Sequence, residues 1–264
     1  MPSPPEAGAP TGAAPGWAAV VVNYNAGPAL VDCVGSVLAQ RPSPELVVVD
    51  NASTDGSLDG LRRAHPGVRV VQSGGNLGYA RAANLGIAAT DAPLVAVLNP
   101  DTVLGSGTGR VLTARFTAEA DLGAAGPRLH NPDGSVYPSA RKIPSLLDAV
   151  GHGLLFFVWP TNPFTGRYRE TGADPARPRD VDWVSGAAVW LRRAALDDVG
   201  GWDERYFMYV EDVDLCWRLC RSGWRVAYEP AGTVEHLLGI STASRPYRMI
   251  AEHHRSLLRF ASVR

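Results

Sequence analysis

The chain has 264 residues, 45% hydrophobic and 19% charged, the balance of a globular protein with a sizeable core rather than of a disordered or fibrous one. Its 25 basic and 26 acidic side chains exclude the global positive charge that drives nonspecific nucleic-acid binding, so no nucleic-acid partner is expected. Three cysteines, Cys33, Cys216 and Cys220, cannot all pair within one chain and none has zinc-finger spacing, which points to a reducing compartment.

Residues 1–16 are rich in Pro, Ala and Gly, lack a basic start and an apolar run, and read as a disordered tail rather than a secretory signal. From 17 to about 120 the pattern is βαβαβαβ, the signature of an open α/β sheet. Runs at 18–22, 46–49, 68–71 and 94–98 are apolar almost without interruption, as strands of a parallel sheet covered on both faces are. Segments 28–40, 57–64 and 79–89 between them have helical length. Such sheets bind ligands at the carboxyl ends of their strands, and there this sequence is polar. Asn23-Tyr24-Asn25, Asp50-Asn51-Ala52-Ser53, Ser73-Gly74-Gly75-Asn76 and Asn99-Pro100-Asp101 follow the four runs in turn. Turn and helix-cap chemistry accounts for any one of these clusters; four converging on one edge point to a site.

The second half is less regular. Residues 127–179 read as a long excursion over the sheet edge, with an apolar helix candidate at 146–159. The longest apolar run, 154–159, is far short of the ~20 residues that span a bilayer, so no transmembrane helix is expected. A strand is expected at 181–184, helices at 193–198 and 211–221, a strand at 224–228 and a closing amphipathic helix at 246–260. Within 211–221, Val213, Cys216, Trp217 and Cys220 follow the i, i+3, i+4, i+7 rule and are the expected buried face.

The cluster Gly74-Gly75-Asn76-Leu77-Gly78 has neither GxGxxG spacing nor a GK[ST] ending, which argues against hydride transfer and NTP hydrolysis. Asp101 is delivered on a tight turn after a strand; a carboxylate there is either a plain turn residue or a ligand for a hard cation. Glu211, Asp212 and Asp214 stand at a helix start, which the macrodipole favours. They also follow the aromatic run 206–209, and a carboxylate shielded from water can act as a general base. Glu235-His236 lies just past a strand, ahead of a Gly-Ile-Ser-Thr loop at 239–242. His253, His254, Arg255 and Arg259 make the last helix basic on one side, a solvated face or a contact for an acceptor diphosphate or an anionic membrane.

These pieces together resemble the inverting glycosyltransferases of family 2, which adopt the GT-A fold. The matching segments are VVVNYN (20–25), VVVDNASTDGS (47–57), GNLGYARAANLGI (75–87), LNPD (98–101), WVSGAAVWLRR (183–193), VGGWDERYFMYVEDVDLCWR (199–218) and the Glu235-His236 region. NLGYARAAN, LNPD and FMYVEDVDLCWR look most like the rhamnosyltransferase-like branch, whose donor is often dTDP-L-rhamnose and whose acceptor is often a polyprenyl-diphosphate-linked sugar. The resemblance implies a GT-A α/β domain over 17–264, with a nucleotide-binding half at 17–122 and an acceptor-binding half at 123–264. It implies Asp212 as catalytic base, and Asp101 with His236 as ligands of Mg²⁺ or Mn²⁺. Asn99 replaces the first acid of the family's DxD motif. Asn23, Asp50, Asn51, Asn76, Arg81, Asn84 and Asn99 fall where the family holds the nucleotide. Trp183, Gly186, Trp202 and Glu211 fall where donor sugar and acceptor meet, the tryptophans otherwise being core residues. Partners on this reading are a dTDP- or UDP-linked donor and a glycan or lipid-linked acceptor, met in the cytoplasm at the inner membrane face by peripheral contact. The rivals are transfer of another sugar and a nonenzymatic sugar-nucleotide-binding protein.

Overall fold

The computed structural model describes residues 16–143, 174–237 and 246–263. Nearly all of the expected tail, the helix candidate at 146–159 and the loop at 239–242 lie outside them. Strands β1 (Trp17–Asn23), β2 (Glu45–Asp50), β3 (Arg69–Gln72) and β4 (Leu94–Leu98) pair in parallel in the order β3-β2-β1-β4. They are linked by α1 (Ala29–Leu38), α2 (Ser57–Ala64) and α3 (Tyr79–Ala88). The apolar runs follow from two covered faces, because successive side chains alternate across a strand. Ala19, Val21, Val48 and Ala96 pack with Leu30, Val34 and Leu61 on one face; Val20, Val22, Val47 and Val97 pack with Tyr79, Ala80 and Ala83 on the other. Each fully buried Val contributes about 1.5–3 kcal/mol relative to exposure. β3 departs from the expectation: it is the sheet edge, and Val70 and Val71 are only half-buried.

Beyond β4 the sheet is mixed. It continues through β11 (Ala188–Arg192), antiparallel to β4 and to β6 (Leu122–His130), then β12 (Arg225–His236), parallel to β6, and β5 (Thr102–Leu104), antiparallel to β12. α4 (Thr108–Ala118) packs on this half. The sequence reading contains none of β5, α4, β6 and β11. The strand expected at 181–184 is two short pieces, because the chain changes partners between them: β9 (Arg179–Asp180) pairs with β12, and β10 (Trp183–Val184) pairs with β8 (Ala140–Arg141). β7 (Val136–Tyr137) forms a hairpin with β6. The strand expected at 224–228 runs on to His236, past an irregularity between Glu229 and Thr233 that accommodates Pro230.

Helices α5 (Arg193–Val199), α6 (Glu211–Arg221) and α7 (Pro246–Val263) lie where the sequence places them. The buried face of α6 does not. Leu215, Cys216 and Leu219 face the core together with Glu211 and Asp214, whereas Cys220 is exposed. Val213 and Trp217 are half-buried in a small separate cluster with Tyr206, Val210 and Phe260 of α7. Of the expected face only Cys216 lies in the core; counting only apolar residues added Val213 and Trp217, which meet the α7 side, and missed the buried acids Glu211 and Asp214.

Strand register brings the polar ends together. Asn23 aligns with Asp50, and Asp50 with Gln72. Antiparallel pairing of Ala188 with Leu98 carries residues 185–187 beside the end of β4, where the Asn99 N–H donates to Ala187 O at 2.8 Å. Pairing of His236 with Thr102 carries the far end of β12 to Asp101.

Candidate active site

The edge formed by β1, β2 and the loop before α3 is held by its own side chains. Asn23 is fully buried; its Nδ2 lies 3.0 Å from Asp50 Oδ1, 3.0 Å from Ser53 Oγ and 3.1 Å from Ser57 Oγ, while its Oδ1 is buried without a partner. Asn51 donates Nδ2 to Asn76 Oδ1 at 3.1 Å and accepts the Leu77 N–H at 2.9 Å. Asn76 Oδ1 also accepts the Gly78 N–H at 3.1 Å. Asn23–Asp50 and Asn51–Asn76 are thus two side-chain pairs joined by the Asn51 N–H, which donates to Asn23 O at 2.8 Å; the first three residues are buried and Asn76 is exposed at this edge.

Asp101, on the turn between β4 and β5, is 5% exposed, and His236 Nε2 stands 3.4 Å from its Oδ1. The Leu237 N–H donates to Asp101 O at 3.0 Å, fixing the end of β12 to the turn after β4. His236 is 7% exposed and its Nδ1 has no partner. The carboxylate suits a hard cation such as Mg²⁺ or Mn²⁺, and the imidazole shifts the preference away from Mg²⁺ toward a transition-metal ion such as Mn²⁺. Among the described residues no group of three or more His, Cys, Asp or Glu side chains gathers, so an ion held here would take its other ligands from donor phosphates and water. Asn99 is half-buried beside this pair in sequence; its carbonyl accepts the Thr102 hydroxyl at 2.7 Å.

The acidic start of α6 divides into three roles. Asp214 is 2% exposed and pairs with Arg218 at 2.7 Å, and Arg218 also donates to Val199 O and Gly201 O, so this acid anchors the preceding loop. Asp212 is half-buried; its Oδ2 accepts the Gly186 N–H at 2.9 Å and its Oδ1 accepts its neighbour's Val213 N–H at 2.8 Å. Burial raises its carboxyl above the ordinary range and these backbone donors pull it back. Glu211 is 8% exposed with Oε2 unpartnered, and burial, then the adjacent Asp212, push its carboxyl up to about 8.

In the unfolded chain Glu211 ionises in the usual carboxylate range; in the fold it keeps its proton to about 8. Stability is therefore lost as pH rises from the first value through the second. Glu211→Gln cannot ionise, and is expected to remove a loss of roughly 2–3 kcal/mol between about pH 6 and about pH 9. Thermal melts of both proteins at the two pH values read this; equal losses would remove Glu211 as its source.

Tyr79, which the sequence reading did not select, links the two acidic regions. Its hydroxyl donates to Gly186 O at 2.6 Å. Burial raises the phenol well above its ordinary pKa, and the charges of Glu211, Asp212 and Asp101 raise it further. Gly186, which accepts from Tyr79, donates its N–H to Asp212 Oδ2 at 2.9 Å, and the next residue, Ala187, accepts the Asn99 N–H at 2.8 Å, two positions before Asp101. The Tyr79 N–H donates to Phe207 O at 2.8 Å, and a Cβ on Gly78, itself at φ +85°, would lie 2.5 Å from that oxygen. Gly78 therefore lets the 206–210 segment close on α3. That segment enters α6 through Tyr209 and Val210, both at φ 69°. For a β-branched residue this is strained, on the order of 1–3 kcal/mol. Ser256 on α7, which donates to Met208 O at 3.0 Å, helps hold it.

Other predicted residues sit apart from this cleft or beneath it. Arg81 pairs with Glu204 at 2.9 Å, and Asn84 clamps Trp202 through its N–H (3.0 Å) and carbonyl (2.9 Å). Both side chains fasten the 201–204 turn to α3 instead of lining the nucleotide edge. Trp202 is 1% exposed and meets Tyr79 edge-on at 5.6 Å, so its ring offers no face for a sugar. Trp183 is half-buried under the Arg141 guanidinium, 5.7 Å away. Gly186 is well placed: a Cβ there would come within 3.2 Å of Asp212 Cβ and 3.6 Å of the Trp202 ring.

Residues 15–257 match the family described as Glycosyltransferase like family 2. The chain belongs to that family. It is 41% identical over 257 residues to the N-acetylglucosaminyl-diphospho-decaprenol L-rhamnosyltransferase of Mycobacterium tuberculosis, covering 93% of this chain and 83% of that protein. It is 33% identical over 192 residues to a pre-mycofactocin glycosyltransferase of the same species, covering 72% of this chain and 37% of that one. Among solved structures, GalNAc-T7 with UDP, GalNAc and Mn²⁺ superposes with a TM-score of 0.63 at 17% identity, over 84% of this chain and 44% of that one. A mannosyltransferase from Pyrobaculum calidifontis with GDP-Man and Mn²⁺ gives 0.60 at 19%, over 93% and 64%. These superpositions establish the GT-A α/β fold of this family 2 chain.

Proposed function

We propose that this family 2 protein is an inverting, metal-assisted transferase that moves L-rhamnose from dTDP-L-rhamnose to a polyprenyl-diphosphate-linked sugar during cell-envelope polysaccharide synthesis. The observation that carries the chemistry is the 185–187 loop, where Gly186 takes the Tyr79 hydroxyl on its carbonyl and gives its N–H to Asp212, while Ala187 accepts the Asn99 N–H at the turn that carries Asp101. The choice of sugar and acceptor follows the 41%-identical rhamnosyltransferase. Asp212 takes the proton of the acceptor hydroxyl; that oxygen attacks the anomeric carbon opposite the bond to phosphate, and the nucleoside diphosphate leaves with the bonding pair. Asp101 and His236 would hold a divalent cation, which would supply positive charge against the leaving diphosphate. Asn23, Asp50, Asn51, Asn76 and Asn99 hold base and ribose at the nucleotide half, residues 17–122. Arg81, Asn84 and Trp202 act by positioning the 201–204 turn. Glu211, Gly186 and Trp183 belong to the acceptor side, residues 123–264, where Gly186 keeps the space in front of Asp212 open.

Incubation with dTDP-L-rhamnose, UDP-hexoses and GDP-mannose, each with a short-chain polyprenyl-diphosphate N-acetylglucosamine, tests the assignment by product mass. A deoxyhexose adduct formed from the dTDP donor is expected. A hexose adduct alone would replace the donor assignment, and no adduct with any donor would favour a nonenzymatic binder.

A further inference from the structure

Three of the five large hydrophobic side chains exposed among the described residues lie on one helix, α7: Leu257 (43%), Leu258 (73%) and Val263 (39%). The opposite side of that helix is fixed to the body. Ser256 is buried with its hydroxyl on Met208 O, Phe260 meets Trp217 edge-on at 5.9 Å, and the Arg259 guanidinium lies 6.0 Å from the Tyr206 ring. At about 100° per residue, Leu258 points directly away from Ser256 and Phe260. Exposed Ala251, His254 and Ala261 surround it, with Leu257 on one flank and Arg255 on the other.

The net charge on this helix is positive. Its sequence holds Arg248, Arg255 and Arg259 against a single acid, Glu252, which is satisfied at 2.8 Å by Arg255, and Arg221 of α6 adds a cation 5.0 Å above Trp217. A ridge of protruding leucines with Arg255 on its flank, on a helix whose net charge is positive, suits a soft anionic surface, into which apolar side chains sink while cations meet phosphates. It suits a second copy less, since like charges would face each other and a stable protein interface needs about 800 Å² of complementary surface per partner.

We infer that α7 docks this protein on an anionic lipid surface through Leu257 and Leu258. Because α7 braces the 206–210 segment that leads into Asp212, docking there brings the base close to the bilayer. That consequence rests on the proposed lipid-linked acceptor, whereas the docking surface itself is read from α7 alone.

Flotation of the full chain with vesicles tests the inference, comparing phosphatidylcholine alone with phosphatidylcholine containing about one-third phosphatidylglycerol. The partition coefficient is expected to be at least about tenfold higher on the anionic vesicles and to fall with added salt. Combining Leu257→Ser with Leu258→Ser should lower it by roughly tenfold or more, with melting temperature and nucleotide binding unchanged. Absence of wild-type partitioning, equal partitioning of the variant, or self-association of the wild type that the variant abolishes would each overturn the inference, the last in favour of a second copy. The vesicles carry no acceptor, so these outcomes do not depend on the transferase assignment; failure of transfer to the short-chain polyprenyl-diphosphate N-acetylglucosamine would count against that assignment alone.

Discussion

Asp212→Asn is expected to lower turnover by about 10²–10⁴ while leaving donor binding intact. The replacement keeps the shape of the side chain, so what it removes is a carboxylate able to take a proton. It also disturbs one backbone contact. Asp212 accepts from the Gly186 and Val213 N–H groups at 2.9 and 2.8 Å, and an amide has only one oxygen to offer both. A stability loss of about 1–3 kcal/mol should accompany the kinetic effect. The nucleotide rim at Asn23, Asp50 and Asn51 is built from other strands and is untouched. Calorimetric titration with dTDP, steady-state turnover and a thermal melt on the same preparation separate the three quantities. Turnover within a few-fold of wild type would remove Asp212 as the base.

The half of the molecule built on β1 to β4 was legible because its strands are covered on both faces. Such strands read as unbroken apolar runs, and polar residues are left only at their ends. β6 was not legible because Gly123, Gly126 and Pro127 interrupt it. Those glycines serve packing: a Cβ on Gly126 would lie 2.7 Å from Val184 Cβ, and one on Gly123 would lie 2.7 Å from Trp224 Cβ. Close approach of neighbouring elements therefore erased the signal of the strand that makes it possible. β11 was hidden differently, as a five-residue piece that runs straight into α5.

For the site, residue type and strand position identified Asp101 and Asp212, but their proximity depends on β11 inserting beside β4 and on β12 reaching back to β5. No spacing in the chain encodes that order. Arg81 and Asn84 illustrate the converse error: their chemistry suits a diphosphate and a ribose, yet the turn they fasten uses it. Tyr79 was overlooked because a tyrosine at a helix start looks like core until its hydroxyl is seen on Gly186 O, in the residue whose N–H holds Asp212.

Asp101→Ala is expected to abolish the metal-dependent part of donor affinity. Because Asn99 supplies no charge, Asp101 is the carboxylate at the end of β4, and its loss leaves His236 alone at that corner. The difference between titrations of dTDP with and without Mn²⁺ should collapse, a loss of ~10–100-fold in the presence of the ion, while the weak affinity without metal stays the same. Turnover should fall in parallel, and an excess of chelator should bring the wild type down to the level of the variant. Asn99→Asp provides the opposite arm, since a second carboxylate on the same turn should tighten metal-dependent binding. The side chain it alters is only half-buried, and the backbone bonds of Asn99 to Ala187 and Thr102 do not involve it. Full wild-type activity in excess chelator, or an Asp101→Ala protein whose donor binding still responds to Mn²⁺, would show that charge on the leaving diphosphate is met by protein groups other than this pair.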